Sequence, residues 1–354
     1  MDLSSMVVPI VVCLLATVVL HGFARRFFPL VGLLDFPGHY GLKRRRLPYP
    51  TGIIALLVFL GEYAFLEPPS LQKTGLLLAI AALGIVTFYD DRAPLSPFLR
   101  LSVHILCAFL VFATGTRIYT LTNPVPSFLG MGDILKLDTL DFQTSLFGPL
   151  PVFSGIFTIL WLGITINALN WFDGIPGQVS IISVIAFATI GFLSLSDRVN
   201  QPHLALLAFV LAAVALGSAV FDFPPPRVVL GDTGAMFFGL MIGVLTIYSG
   251  GKVATAFLVL GVPIFDFLFV IARRVLRGTS VVHGSTTNEH LHHRLLARGW
   301  SPRAIIALTA VIGSAFGVTA LFLSTTGKFL AALLLGALML TLSAFSRPLP
   351  SSRR

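Results

Sequence analysis

Five short stretches of the chain carry most of the side chains that could do chemistry: the basic run from Arg25 to Pro50, YDDRAPLSP (Tyr89 to Pro97), NALNWFDGIPG (Asn167 to Gly177), VVLGDTGAMFFG (Val228 to Gly239) and NEHLHHRLL (Asn288 to Leu296). Asp90 and Asp91 end an apolar run. Two adjacent carboxylates repel each other and are costly to bury, so they belong at a water boundary facing a cation. Mg²⁺ suits such a pair, because it takes a few carboxylate oxygens and fills its shell with water and substrate phosphates; a plain span end with Arg92 as partner is the alternative. Asn167, Asn170 and Asp173 fall broadly on one side of a helix by their spacing, before Gly174, Pro176 and Gly177 break it. Asparagines that only cap the helix fit the same pattern. Asp232, between Gly231 and Thr233, either caps the next helix or shares its free amides with an anionic ligand, and the geometry permits both. His290, His292 and His293 beside Arg294 and Arg298 make a donor set for a pyrophosphate, with Glu289 expected to orient one imidazole. Zinc is disfavoured there because neither cysteine nor an HExxH pattern accompanies the histidines, His283 included. Asp266, in VPIFDFLFVIARR, is either functional or a salt-bridge partner of Arg273 or Arg274.

The elements that position these groups follow from composition. With 56% hydrophobic and 11% charged residues and a mean hydropathy of +0.92, the 354-residue chain has too few polar side chains to cover a soluble globule. It reads as an all-α polytopic membrane protein forming a single domain over 1–354. A span needs roughly 20 apolar residues as a helix, and about eleven segments qualify. They lie near 6–24, 50–66, 74–90, 98–115, 150–169, 175–195, 203–221, 233–249, 253–272, 303–324 and 327–345. With the N-terminus outside, the inside loops and tail hold 18 of the 24 lysines and arginines and the outside loops 6. The positive-inside rule therefore places the C-terminus and all five motif stretches on the cytoplasmic side of a cell membrane. The net charge of +9 reflects this topology and a face meeting headgroups or phosphates rather than nucleic acid. The first apolar run, with no small-residue cleavage site after it, reads as a retained anchor. Cys13 and Cys107 fall inside spans as small hydrophobes. The outside segment 116–149 is expected to form short strands or an interfacial helix.

Taken in order, GLLDFP, YDDRAPLSP, NALNWFDGIPG, VVLGDTGAMFFG, VPIFD and HLHHRLL resemble the polyprenyl-phosphate N-acetylhexosamine-1-phosphate transferase family from Gly32 to Leu296. The HLHHRL run is similar to the branch using UDP-N-acetylglucosamine. The resemblance implies transfer of a sugar-1-phosphate from a UDP-sugar to a polyprenyl phosphate with release of UMP, and a homodimer. It implies Mg²⁺, with Mn²⁺ as an alternative, held by Asp232 and, in some members, by the residue matching Asn170. It further implies that Asp90 and Asp91 position or deprotonate the lipid phosphate and help organise the metal, and that Asp173 lies near the reacting phosphates. His290, His292, His293 and Arg294 match a loop gripping the pyrophosphate, and Asn167 is assigned to substrate binding. This chain has Pro176 where many relatives carry an acid near the nucleobase, Thr287 where they carry an aspartate, and Arg44, Arg45 and Arg46 where a histidine is usual, so Arg46 is the candidate substrate contact of the first loop. Two rival readings are an ion-coupled secondary transporter using Asp90, Asp91, Asp173 and Asp266, and a membrane zinc hydrolase resting on the histidines.

Overall fold

The computed structural model describes residues 3–40, 44–123, 134–250, 252–281 and 289–346. Eight helices are long and apolar enough to cross a membrane. They are α1 (Leu3–Phe27), α3 (Leu71–Asp90), α5 (Val152–Phe172), α6 (Gln178–Leu195), α7 (Pro202–Asp222), α8 (Gly231–Tyr248), α12 (Pro302–Phe322) and α13 (Thr325–Phe345). Two more apolar helices, α2 (Gly52–Leu66) and α4 (Pro97–Ala113), have 15 and 17 residues. The expected span at 253–272 is instead a broken pair, α9 (Val253–Val259) and α10 (Gly261–Leu276), meeting at 86°. Pro263 accounts for the break: it has no N–H to bond back into α9 and tolerates only the first turn of a helix, which is where α10 holds it. A short helix, α11 (Leu291–Ala297), precedes α12. The molecule is thus a multi-pass helical membrane protein with eight spanning helices among the described residues, or nine with the bent pair counted as one.

Almost every residue of α8 is buried, so α8 is the axis of the bundle. Helices α5, α3 and α2 pack around it, and α6 and α7 pair beside it. On the outside of α1, Val7, Val8, Val11, Val12 and Leu15 are exposed, as are Leu330, Leu333, Leu334 and Leu340 on α13. In an aqueous protein such a surface would aggregate; facing lipid, it costs nothing. Cys13 and Cys107 are both buried and unpaired. Between α4 and α5 the chain forms two antiparallel ribbons, β1 (Thr120–Thr122) with β2 (Ile134–Lys136), and β3 (Asp141–Thr144) with β4 (Gly148–Pro151), in the registers Leu121↔Leu135 and Phe142↔Leu150. Of the two forms expected for this segment, short strands are the one adopted among its described residues.

Among the described residues, the α1–α2, α3–α4, α5–α6, α7–α8 and α10–α11 connections meet at one end of the bundle, through contacts of Tyr49 with Asp91, Asp91 with the Asp232 amide and His292 with Phe172. Those connections are the five motif stretches.

Candidate active site

The first connection is tied to the fourth by backbone hydrogen bonds. Leu34 bridges Pro48, the Val229 amide donates to Pro48 O at 3.0 Å, and the Thr51 and Gly52 amides donate to Val229 O and Leu230 O at 3.0 and 2.8 Å. This brings Tyr49 over the start of α8, where Asp91 arrives from the end of α3. Both oxygens of Asp91 are filled: Oδ1 accepts from the Tyr49 hydroxyl at 2.5 Å and the Asp232 amide at 3.0 Å, and Oδ2 from the Thr233 amide at 3.0 Å and the Thr233 hydroxyl at 2.7 Å. The amides opening α8 do meet an anion, and that anion is the protein's own Asp91. Gly231 permits this, since its φ is +81° and a Cβ there would stand 2.9 Å from Asp91 Oδ2. Burial, and then the neighbouring Asp232, push the Asp91 carboxyl up to about 7, while Tyr49 and Thr233 pull it back toward the anion.

Asp90 faces the other way. Its Oδ1 accepts from the Leu95 amide at 2.6 Å, and its Oδ2 pairs with Arg100 Nη1 at 3.1 Å; Arg100, one turn into α4, also reaches Asp232 Oδ2 at 3.4 Å. The partner of Asp90 is therefore Arg100, not Arg92. Asn170, in the last turn of α5, lies beside the Asp232 carboxylate. Asp173, which caps α5, is raised well above the usual carboxylate range by burial and then by Asp232, Asp222 and Asp91. Four helices thus bring Asp90, Asp91, Asn170, Asp173 and Asp232 together with one arginine among them. Such a cluster carries more negative charge than it can neutralise by itself.

The fifth connection packs its imidazoles against the α5–α6 turn. His292 is buried, its Nε2 standing where a Cβ on Gly174 would be, 1.9 Å away, and its ring edge-on to Phe172. Neither of its ring nitrogens has a hydrogen-bond partner among the described residues, and burial, then His293, hold it neutral with a pKa lowered to about 3. The His290 and His292 rings stack 5.5 Å apart, and His293 lies 4.2 Å from His292. The carboxylate that orients this group is Asp266, which accepts from His290 Nδ1 and from the Leu291 amide, both at 2.8 Å. Glu289, expected to do so, instead pairs with Arg274 at 2.5 Å, and the salt bridge considered for Asp266 is replaced by these two contacts. Exchanging Asp266 for asparagine keeps its volume but removes a charge-assisted hydrogen bond of ~1.5–3 kcal/mol. Turnover is expected to fall about 10- to 100-fold and the melting temperature by a few degrees, read by an activity assay beside a thermal melt.

Two expected contacts point elsewhere. Arg294 turns away to α13, donating to Ser343 O at 3.1 Å and to its hydroxyl at 3.2 Å, so it anchors α11. Arg46 is exposed, with its guanidinium 4.7 Å over the Phe36 ring, while Arg44 pairs with Asp35 at 2.5 Å and steadies the loop. Asn167 donates to Gly163 O at 2.8 Å, within its own helix. Asn288, His283 and Thr287 lie outside the described residues. Sequence reasoning missed Tyr49, Arg100, Thr233 and Asp222. Arg100 left a usable signal, a cation one turn inside an apolar helix at the same boundary as the aspartate pair. Asp222 likewise ends a span; its Oδ2 accepts from Ser180 Oγ at 2.6 Å, fastening the end of α7 to the start of α6.

A multi-pass helical bundle with a polyacidic, arginine-bridged site at one end matches the glycosyl transferase family 4 profile over residues 73–250, half of the chain, and the chain belongs to that family. Among its relatives, it is 28% identical over 332 residues to the probable undecaprenyl-phosphate N-acetylglucosaminyl 1-phosphate transferase of Bacillus subtilis, covering 90% of this chain and 85% of that one. It is 25% identical over 336 residues, with the same shares, to the undecaprenyl-phosphate alpha-N-acetylglucosaminyl 1-phosphate transferase of Escherichia coli. Identity is 27% over 328 residues, 84% of this chain and 77% of the relative, with the decaprenyl-phosphate N-acetylglucosaminephosphotransferase of Mycobacterium leprae.

Proposed function

We propose that this protein transfers N-acetylhexosamine-1-phosphate from a UDP-sugar to a polyprenyl phosphate, releasing UMP and leaving a polyprenyl-diphosphate-linked sugar for envelope glycan synthesis. The observation that carries the reading is the meeting of Asp90, Asn170, Asp173 and Asp232 around Arg100 at one end of an apolar bundle, where a lipid phosphate and a soluble nucleotide can both arrive. The lysine and arginine distribution supports a cytoplasmic position for that end, with the N-terminus outside and eleven crossings if α2, α4 and the α9–α10 pair each count as one. The relatives above support the acceptor, and the whole chain acting as one domain fits the mutual hydrogen bonding of its loops. The transporter alternative finds no support in those relatives, and it calls for coupling groups near the bilayer midplane, whereas Asp90, Asp91 and Asp173 stand at helix ends.

The donor set fits a hard divalent cation. Asp232 and Asn170 offer oxygens side by side, and no group of three His, Cys, Asp or Glu side chains among the described residues could hold a metal alone, so the ion's remaining positions fall to water and substrate phosphates. Mg²⁺ bound there would neutralise phosphate charge as the P–O bond to UMP breaks. The protein's own contribution is positioning. An oxygen of the lipid phosphate attacks the sugar-bound phosphorus in line, and UMP departs with the bridging oxygen. No general base is required, since a phosphate monoester has lost its second proton above about pH 6. That frees Asp91 to act as the anchor of α8, consistent with its four donors. Arg100 sets the spacing of Asp90 and Asp232. His290, His292 and His293 line the approach over Gly174, and the neutral His292 ring has one N–H to offer a pyrophosphate. A homodimer follows from the family resemblance alone.

Purified protein given polyprenyl phosphate, Mg²⁺ and a panel of labelled UDP-sugars tests the reading. Labelled lipid is expected with UDP-N-acetylglucosamine or a close N-acetylhexosamine analogue, with activity abolished by EDTA and restored by Mg²⁺. Transfer that survives complete chelation would remove the metal from the account, and absence of labelled lipid with every donor would remove the transferase.

A further inference from the structure

We propose that Trp171 and Phe172, the last two residues of α5, are positioning residues for this reaction: by ring contact they orient His290 and His292 and so fix where the imidazoles stand relative to the acidic centre. The inference rests on the transferase reading, in which those imidazoles meet the pyrophosphate of the UDP-sugar.

The fifth stretch arrives over the end of α5 with two nearly parallel rings. The planes of His290 and His292 differ by 9°, with centroids 5.5 Å apart. Each is met almost at right angles by one aromatic of α5: Trp171 stands 5.6 Å from His290 at 78°, and Phe172 stands 6.4 Å from His292 at 89°. Aromatic rings are negative on the face and positive at the edge, so edge-to-face is an arrangement they prefer. Successive side chains leave a helix about 100° apart, which lets two adjacent residues reach two different histidines. Trp171 is itself held from behind. Phe267 of α10 lies edge-on to it at 4.9 Å, and the buried Arg274 guanidinium sits 5.2 Å over the indole while pairing with Glu289, the residue before His290. Asn170 and Asp173 flank the two aromatics in sequence, so one helix end carries groups of the acidic centre and both ring contacts.

These contacts matter because His292 has little else to orient it. Asp266 holds His290 by a 2.8 Å hydrogen bond, but neither ring nitrogen of His292 has a hydrogen-bond partner among the described residues, and the residue is only 1% exposed. Packing sets its direction: Phe172 stands edge-on to it, His290 stacks against it, and Gly174 leaves room for Nε2. Trp171 acts one ring further back, through His290. An aliphatic side chain at 171 or 172 would fill part of the space without presenting an edge, and the imidazoles would lose their fixed direction toward the donor.

The test follows UMP release while UDP-N-acetylglucosamine and polyprenyl phosphate are varied in turn, and the melting temperature in detergent. The proteins are wild type, Trp171→Leu, Trp171→Phe, Phe172→Leu, His290→Asn and the Trp171→Leu, His290→Asn double variant. Misdirected imidazoles weaken the hold on the donor before and during transfer alike. Trp171→Leu and Phe172→Leu are therefore each expected to raise the KM for the UDP-sugar about 10-fold, with kcat and the KM for polyprenyl phosphate within about threefold of wild type. Phenylalanine at 171 keeps an aromatic edge and should hold the KM for the UDP-sugar within about threefold of wild type. The double variant should have the KM of His290→Asn alone, because Trp171 acts through that ring. If leucine at 171 prevents folding, Trp171→Met takes its place, since methionine adapts to irregular packing, and Phe172→Leu reads the same row of rings independently. An unchanged KM for the UDP-sugar, a rise shared equally by both substrates, a loss that phenylalanine does not rescue, or increases that multiply in the double variant would each overturn the proposal. A wild-type protein that releases no UMP would instead overturn the transferase reading, and this inference with it.

Discussion

Replacement of Asp232 by alanine is expected to lower transfer by at least about 10³-fold while leaving the protein folded in detergent. The size follows from what the carboxylate touches. Removing one group that stabilises transition-state charge in a preorganised site costs about 10²–10³ in kcat, and Asp232 is also the proposed Mg²⁺ ligand, so its loss disables a second contributor. Folding should survive because the side chain is 31% exposed, and its neighbours Arg100 and Asn170 are left near solvent rather than stranded in the core. Asp91, not Asp232, caps the amides at the start of α8. Size-exclusion elution and melting temperature equal to wild type, with UMP release at background, would match this expectation. Mg²⁺-dependent turnover in the variant would mean that the metal sits elsewhere.

Replacement of Asp91 by alanine should damage both activity and stability, and that combination separates it from Asp232. Four donors converge on this carboxylate, two of them amides opening the central helix. An aspartate capping a helix contributes about 0.5–2 kcal/mol, and the buried Thr233 amide and hydroxyl, deprived of their acceptor, add to the deficit. A fall in melting temperature of several degrees is expected with a loss of kcat of about 100-fold or more, because Asp232 is on the first turn that Asp91 holds. Asparagine at this position keeps an acceptor and should recover most of the melting temperature but only part of the rate. If alanine at 91 leaves the melting temperature unchanged while abolishing transfer, Asp91 touches substrate directly, and the anchoring role assigned to it is wrong.

The membrane-embedded helical class was legible in the sequence because hydrocarbon imposes a single rule, that backbone groups satisfy one another over some 20 apolar residues. Each of the expected spans has a helix in its place, though α2 and α4 are short and one span is broken at Leu260 by the proline three residues on. A hydropathy window averages over a break of that kind and cannot see it. The convergence of the polar loops was legible too, since alternating crossings leave every second loop on the same side. Partner identities were not. Asp91 meets amides 141 and 142 residues away, and the sequence distinguishes neither Asp90 from Asp91 nor Arg92 from Arg100 as partners. Charge alone suggested Arg273 or Arg274 for Asp266 and a histidine for Glu289, whereas the fold crosses these pairs, placing His290 on Asp266 and Arg274 on Glu289. Arg294 looked like a phosphate ligand because of its neighbours in sequence, and its side chain is taken by Ser343 on a helix some fifty residues later. Residues adjacent along a short helix point to different faces, and only the packing decides which face is the site.

One measurement bears most directly on the claim that these loops form a single centre transferring a sugar phosphate to lipid. UMP and labelled lipid are quantified together while polyprenyl phosphate is varied, in purified protein with Mg²⁺ and UDP-N-acetylglucosamine carrying label in the sugar. One UMP for each labelled lipid, and none without the acceptor, is the expected result. UMP formed without polyprenyl phosphate and accompanied by free sugar phosphate would show water as the acceptor, and would contradict the account.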